Sequence, residues 1–153
     1  MTSDLLYLDD LAPGQRFVSA SHTVTEREIL EFARQFDPQP FHLDEEAGAA
    51  SLFGSLVASG WHTAAITMRL NVDGGIPFAG GLIGVECQVS WPRPTRPGDM
   101  LRVVNEVLEV RPSRSRPDRG MVTVRGETLN QDGEVVQSLV ATMVVPRRPA
   151  PQA

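Results

Sequence analysis

The order of elements predicts an α+β domain in which an antiparallel sheet holds one helix against its face. Three observations carry that expectation. A short alternating stretch comes first, a helical block follows and ends near residue 75, and four stretches rich in valine, leucine and threonine fill the rest. A chain of 153 residues has room for one sizeable core. A single domain over 1–146 with a flexible tail over 147–153 is therefore expected.

Composition narrows the class further. Hydrophobic residues make up 41% and charged residues 22%, which is ordinary globular usage and excludes disordered and low-complexity classes. All 14 cations are arginine, so Schiff-base chemistry, a phosphate-loop lysine and a lysine base are excluded. The net charge of −5 argues against nucleic acid as the main partner. No apolar run has the length of a membrane span, and Met1-Thr2-Ser3-Asp4 lacks the positive region of a signal peptide, so a cytoplasmic protein is expected. Cys87 has no second cysteine to pair with and lies in an apolar stretch, which predicts a buried thiol.

Arg16 to Val24 partly alternates and is read as a first strand. Thr25 and Glu28 have capping-box spacing, in which the glutamate reaches back to the cap, and Ile29, Leu30, Phe32, Ala33 and Phe36 continue as an apolar face. A helix is predicted over 26–36. Pro38 and Pro40 stop it, because each disfavours helical geometry in the residue before it, and leave a stiff loop from Asp37 to His42. Asp44, Glu45 and Glu46 suit the start of a short helix over 44–50. Trp61, Ala64, Ala65, Met68 and Val72 recur at helical spacing and mark a buried central helix over 61–72. Strands are predicted over 81–90, 100–110, 121–129 and 134–145, with Asn130-Gln131-Asp132-Gly133 as a hairpin turn. A sheet that wraps one apolar helix matches the hotdog architecture in outline, and its open edges predict a homodimer.

The acid/base candidates are Asp37 and His42. The prolines stiffen their loop, and a curved path would let a carboxylate and an imidazole share one water. The competing reading has Asp37 terminating the helix and His42 in a structural role. Ser59-Gly60 precedes the central helix, whose free N–H groups suit an oxyanion; equally, Ser59 caps the helix and Gly60 gives room for packing. His22 and His62 are read as packing or hydrogen-bonding residues, and the three histidines lack metal-ligand spacing. Arg114, Arg116 and Arg119 fall on a loop over 112–119 with Arg111 just before it, and the four are read as solvated, with a phosphorylated ligand as the alternative.

The string Phe36-Asp37-Pro38-Gln39-Pro40-Phe41-His42-Leu43-Asp44, followed by Phe53-Gly54 and Ala58-Ser59-Gly60, resembles the MaoC-like family of hotdog dehydratases, which includes (R)-specific enoyl-CoA hydratases. Arg96-Pro97-Gly98-Asp99 and the Asn130 turn are similar to that family too. The resemblance implies reversible syn addition of water to a trans-2-enoyl thioester, giving a (3R)-hydroxyacyl product. It implies that Asp37 and His42 activate the water and that the Gly60 N–H polarises the thioester carbonyl. The acyl chain would lie near Phe41, Ser59, Trp61, Ala65 and Met68, with the acyl-CoA or acyl-carrier thioester as substrate and no further cofactor or metal. A thioesterase and a non-catalytic acyl-thioester-binding subunit are the alternatives on the same fold. Three positions depart from the family pattern: Gln39 where asparagine is usual, Ser59 where many relatives have histidine, and Met68 where hydratases can carry serine.

Overall fold

The structure, a computed structural model, describes residues 4–151. A 3-10 turn at Leu8–Asp10 leads into two short strands, β1 (Arg16–Val18) and β2 (His22–Thr23). The single first strand expected over 16–24 is thus broken in two. Between the pieces, the Ser19 hydroxyl accepts from the Val103 N–H at 2.8 Å while the Ser19 N–H donates to the Val103 carbonyl. A side chain has taken over a backbone ladder position there.

Helix α1 (Glu26–Phe36) has the predicted limits. Thr25 caps it, accepting from the Glu28 N–H at 3.2 Å, but the Glu28 carboxylate does not return to the cap. It turns to His22 Nε2 at 2.9 Å, so an ion-pairing partner outside the helix has displaced the reciprocal half of the box. After Asp37 the chain makes one helical turn, α2 (Pro40–Leu43), where a loop was expected. Proline at the first helical position explains it, since that position needs no N–H and has φ already near the helical value. A second short helix, α3 (Glu45–Ala49), is capped by Asp44.

Helix α4 (Gly60–Leu70) is the central helix, prolonged by a wider turn at Asn71–Gly75. One face, including Ile66 and Leu70, packs on the sheet, whereas Trp61 and Met68 on the other face are exposed, so the helix is covered on one side only. Strands β3 (Ile83–Ser90), β4 (Met100–Pro112), β5 (Arg119–Leu129) and β6 (Val135–Pro146) complete an antiparallel sheet of order β1-β4-β5-β6-β3, with β2 also on β4. The long strands run further than their apolar patterns, so the arginine loop shrinks to residues 113–118 between Pro112 and Arg119. The Asn130 side chain builds the predicted hairpin, accepting from the N–H groups of Asp132 and Glu134 at 3.0 Å each, and Gly133 supplies the positive φ of 76°.

Alternation along β4 and β5 puts Leu101, Val103, Val107, Val122 and Val124 on the inner face. Two apolar clusters result. One gathers Val24, Ile29, Leu56, Ile66 and Leu70 on β4 and β6, under α1 and α4. The other gathers Leu8, Ile76, Phe78, Val122 and Met143 at the opposite end of the sheet. Cys87 is exposed rather than buried, because β3 is an edge strand whose residues lie open except at Val89. Beyond Val145, Pro146 ends β6, and Arg147 and Arg148 pair with Asp9 and Asp10 at 3.2 and 2.7 Å. The end of the expected tail, 152–153, lies outside the described residues. No helix among the described residues is long and apolar enough to cross a membrane.

Candidate functional site

The α1 C-terminus, the α2 turn, the start of α4 and the end of β3 meet around a cavity of about 400 Å³. Asp37 is the residue at which α1 stops: its N–H closes the last turn on the Ala33 carbonyl at 2.9 Å. Its φ of −149° and ψ of 68° take the chain out of helical geometry, as Pro38 requires. The helix-terminating role and the placement of the carboxylate in the cavity coincide in one residue. His42 follows on the α2 turn and is 5% exposed.

The imidazole is oriented from behind. His42 Nδ1 lies 2.6 Å from the Val57 carbonyl, and since a carbonyl only accepts, Nδ1 carries the proton. In the neutral ring this leaves Nε2 as a bare acceptor, 3.3 Å from Asp37 Oδ2. Two acceptors facing one point suit a water molecule that donates one O–H to each. The Gln39 side chain donates to Asp37 Oδ1 at 2.6 Å, so glutamine performs a positioning contact on the carboxylate. Burial alone would raise the Asp37 carboxyl. The Ser59 hydroxyl and Gln39 amide beside it, with attraction to the His42 ring in its protonated form, outweigh burial and hold it below its ordinary value of 3.8.

Ser59 caps α4, accepting from the Trp61 N–H at 3.3 Å. The Gly60 N–H, first of the helix, has no hydrogen-bond partner among the described residues and sits where the helix dipole is positive. The packing reason for Gly60 is visible as well: a Cβ there would come within 2.7 Å of the Trp91 indole. Trp91 itself is fixed by a buried chain of hydrogen bonds. Its indole N–H donates to Gln137 Oε1 at 2.9 Å, and Gln137 Nε2 donates to the Thr67 hydroxyl at 3.2 Å. Thr67 in turn donates to the Thr63 carbonyl at 2.9 Å, so the sheet, Trp91 and the first turns of α4 are tied together.

Of the residues singled out from sequence, Asp37, His42, Ser59, Gly60 and Trp61 share this cavity. Phe41 stands behind it, its ring edge-on to His42 with centroids 4.6 Å apart and 5.4 Å from Phe53. Met68 lines a separate groove further along α4. Ala65 is not brought to either; it lies by His62, Phe32 and Arg69 in a shallow depression beside α1. His22 and His62 are the packing and hydrogen-bonding residues expected, His62 stacking on Phe32 at 4.7 Å and 6°. Sequence reasoning missed Trp91 and Thr95 in the cavity wall, and named Phe53 and Arg96 only as part of the resemblance, with no place in the site; Arg96 donates to the Ser55 hydroxyl and to the Phe53 carbonyl at 3.1 Å and so holds that wall in place. No group of three or more metal-binding side chains is gathered among the described residues.

An antiparallel sheet packed against one long central helix is the architecture of the hotdog class of proteins, and here an acid and an imidazole stand beside that helix's N-terminus. Within it, the family described as MaoC like domain matches residues 10–129, and the chain belongs to that family. A MaoC-like dehydratase from Rhodospirillum rubrum is similar at 61% identity and a TM-score of 0.93, covering 95% of this chain and 99% of that one. An (R)-hydratase from Pseudomonas aeruginosa is similar at 26% identity and a TM-score of 0.73, covering 96% of this chain and 94% of that one. A 3-hydroxybutyryl-CoA dehydratase from Methylorubrum extorquens is 29% identical over 138 residues, 86% of this chain and 83% of the relative.

Proposed function

We propose that the chain is a hydro-lyase that adds water reversibly to a trans-2-enoyl-CoA, or a related enoyl thioester, to give the (3R)-hydroxyacyl thioester. The observation that carries the reading is the facing pair His42 Nε2 and Asp37 Oδ2, with Nδ1 committed to Val57. A water held by both acceptors presents its oxygen lone pair to C3 of the enoyl group. As the C3–O bond forms, one water proton passes to the pair, and the pair hands that proton on to C2 on the same face, which makes the addition syn and leaves the pair as it began. Charge that develops on the thioester oxygen is met by the Gly60 N–H at the start of α4. The substrate's own coenzyme A is the only carrier this requires, and no metal or further cofactor enters.

A second copy of the chain belongs to the same reading. Edge strand β3 is open to pairing, and Ile83 and Val85 on it are 52% and 55% exposed, as Trp61, Met68 and Val72 are along α4 and its following turn, with Val85 and Met68 lining one groove. A homodimer would cover both the open edge and the apolar stripe.

The test is incubation with crotonyl-CoA and longer or branched enoyl-CoAs, following loss of the conjugated absorbance and release of free thiol. Absorbance loss without thiol release, cut by about 10²–10⁴-fold in Asp37→Asn and His42→Ala, is expected for a general acid/base pair. Thiol release would move the reading to a thioesterase. Turnover unchanged in both variants would end it.

A further inference from the structure

Gly60, Ala64, Thr67, Met68 and Asn71 recur along one face of α4 and its following turn, Gly60 at the candidate site and the other four further toward the helix C-terminus. There a second cavity of about 360 Å³ lies between the helix and the inner face of the sheet. Its walls are apolar, including Ala64, Met68, Val85, Leu139 and Met143. Two buried amides also line it. Asn71 is 9% exposed and Asn105, on β4, is 1% exposed.

The orientation of this pair is fixed by a backbone group. Asn105 Nδ2 donates to the Gly75 carbonyl at 3.0 Å and to Asn71 Oδ1 at 2.9 Å, and because the carbonyl only accepts, neither amide can be turned around. Asn71 Nδ2 and Asn105 Oδ1 are then left with no hydrogen-bond partner among the described residues, and both residues line the cavity. Opposite Asn105, a Cβ on Gly126 would come within 2.7 Å of Oδ1. Glycine at that point of β5 makes the room that the Asn105 side chain occupies.

We propose that the Asn71–Asn105 amide pair is a specificity site for the distal end of the acyl chain, which selects a chain ending in a hydroxyl over a plain alkyl one. This deepens the hydration reading and rests on it. A hydroxyl both accepts, here from Asn71 Nδ2, and donates, here to Asn105 Oδ1. A methyl end would leave both amide groups unmet in an apolar chamber. A carboxylate would satisfy the donor but set its oxygens against Asn105 Oδ1, with the Glu86 carboxylate on the same cavity. The helix from Gly60 to Asn71 spans roughly 16 Å, so only chains long enough to cover that distance reach the pair.

The experiment is a matched series of 2-enoyl-CoAs, hexenoyl to dodecenoyl, ending in methyl, hydroxymethyl or carboxylate, measured by kcat/KM on the intact protein. Calorimetric binding of the corresponding saturated acyl-CoAs runs alongside. At the fitting length the hydroxyl-ended chain is expected to exceed the methyl-ended one by about tenfold or more in both measurements. Asn71→Asp keeps the acceptor for Asn105 Nδ2 and removes the donor, and Gly126→Ala blocks Oδ1; each is expected to abolish the preference. Should either variant fail to fold, the wild-type series decides. Equal or better handling of methyl-ended chains at every length, or no binding of any saturated chain, would overturn the proposal. A hydroxyl preference in binding without turnover of any enoyl thioester would leave this site standing and sink the hydratase reading; turnover without the preference would do the reverse.

Discussion

At its N-terminal end α4 meets open space with an unpaired Gly60 N–H, the Ser59 hydroxyl and, from neighbouring segments, Asp37 and His42; at its C-terminal end it meets a chamber with Asn71 and Asn105. The first set contains two groups that change charge, 3.3 Å apart, one where α1 ends and the other on the α2 turn. The second set is neutral, and its members hold each other at 2.9 Å. On the roles proposed above, one end of the helix moves protons and the other recognises. The two are linked by the α4 backbone and by the Trp91–Gln137–Thr67 chain, which spans the middle of the helix.

The comparison can be broken most strongly at Gly60. Gly60→Ala would drive a methyl into the Trp91 indole, with an expected cost of about 2–3 kcal/mol, or a melting temperature lower by roughly 5–10 °C. Turnover should fall while the acyl-end preference survives, since the displaced groups are at the N-terminal end; calorimetry and the assay above check both. A smaller effect is expected from Trp91→Phe, which keeps the ring against Gly60 and strands Gln137 Oε1 without its donor. Denaturant unfolding should show a loss of about 1–2 kcal/mol. An unchanged midpoint would mean that the buried chain does not couple the two ends.

The smallest effect sharpens the comparison through pH. Burial holds His62 below its usual value of 6.5, with Glu28 opposing the shift and His22 adding to it. The fold therefore binds fewer protons there than the unfolded chain. The stability linked to His62 is complete above pH 6.5 and is lost as pH falls through that value toward the lower folded one. His62→Phe keeps the stack on Phe32 and should flatten the melting temperature between about pH 7.5 and 5.5, where the wild type declines. A wild-type curve that is already flat over that range would remove His62 from the account.

The N-terminal end was legible from sequence because its information is local. Pro38 and Pro40 lie beside the groups they position, Thr25 beside the helix it caps, and the longest string that carries the resemblance, Phe36 to Asp44, lies there too. What stayed hidden involves partners far apart in the chain. His42 is oriented by the carbonyl of Val57, Gly60 is packed by Trp91, and Asn71 is held by Asn105. One signal was nonetheless present. Leu101, Val103, Asn105 and Val107 occupy successive inward positions of β4, and an asparagine in such a series needs partners. The broken first strand was not readable in the same way, since its cause is the Ser19 hydroxyl taking a backbone role against Val103.

Both tryptophans of the chain, Trp61 and Trp91, line the same cavity, with ring centroids 5.1 Å apart and nearly perpendicular. The protein's intrinsic emission is therefore a local signal. Occupation of the Asp37–His42 cavity changes the polarity around both indoles at once, whereas binding confined to the arginine-bearing hairpin at the far end of the sheet leaves them untouched. A titration read at the indole band reports on one compartment of the molecule without any label.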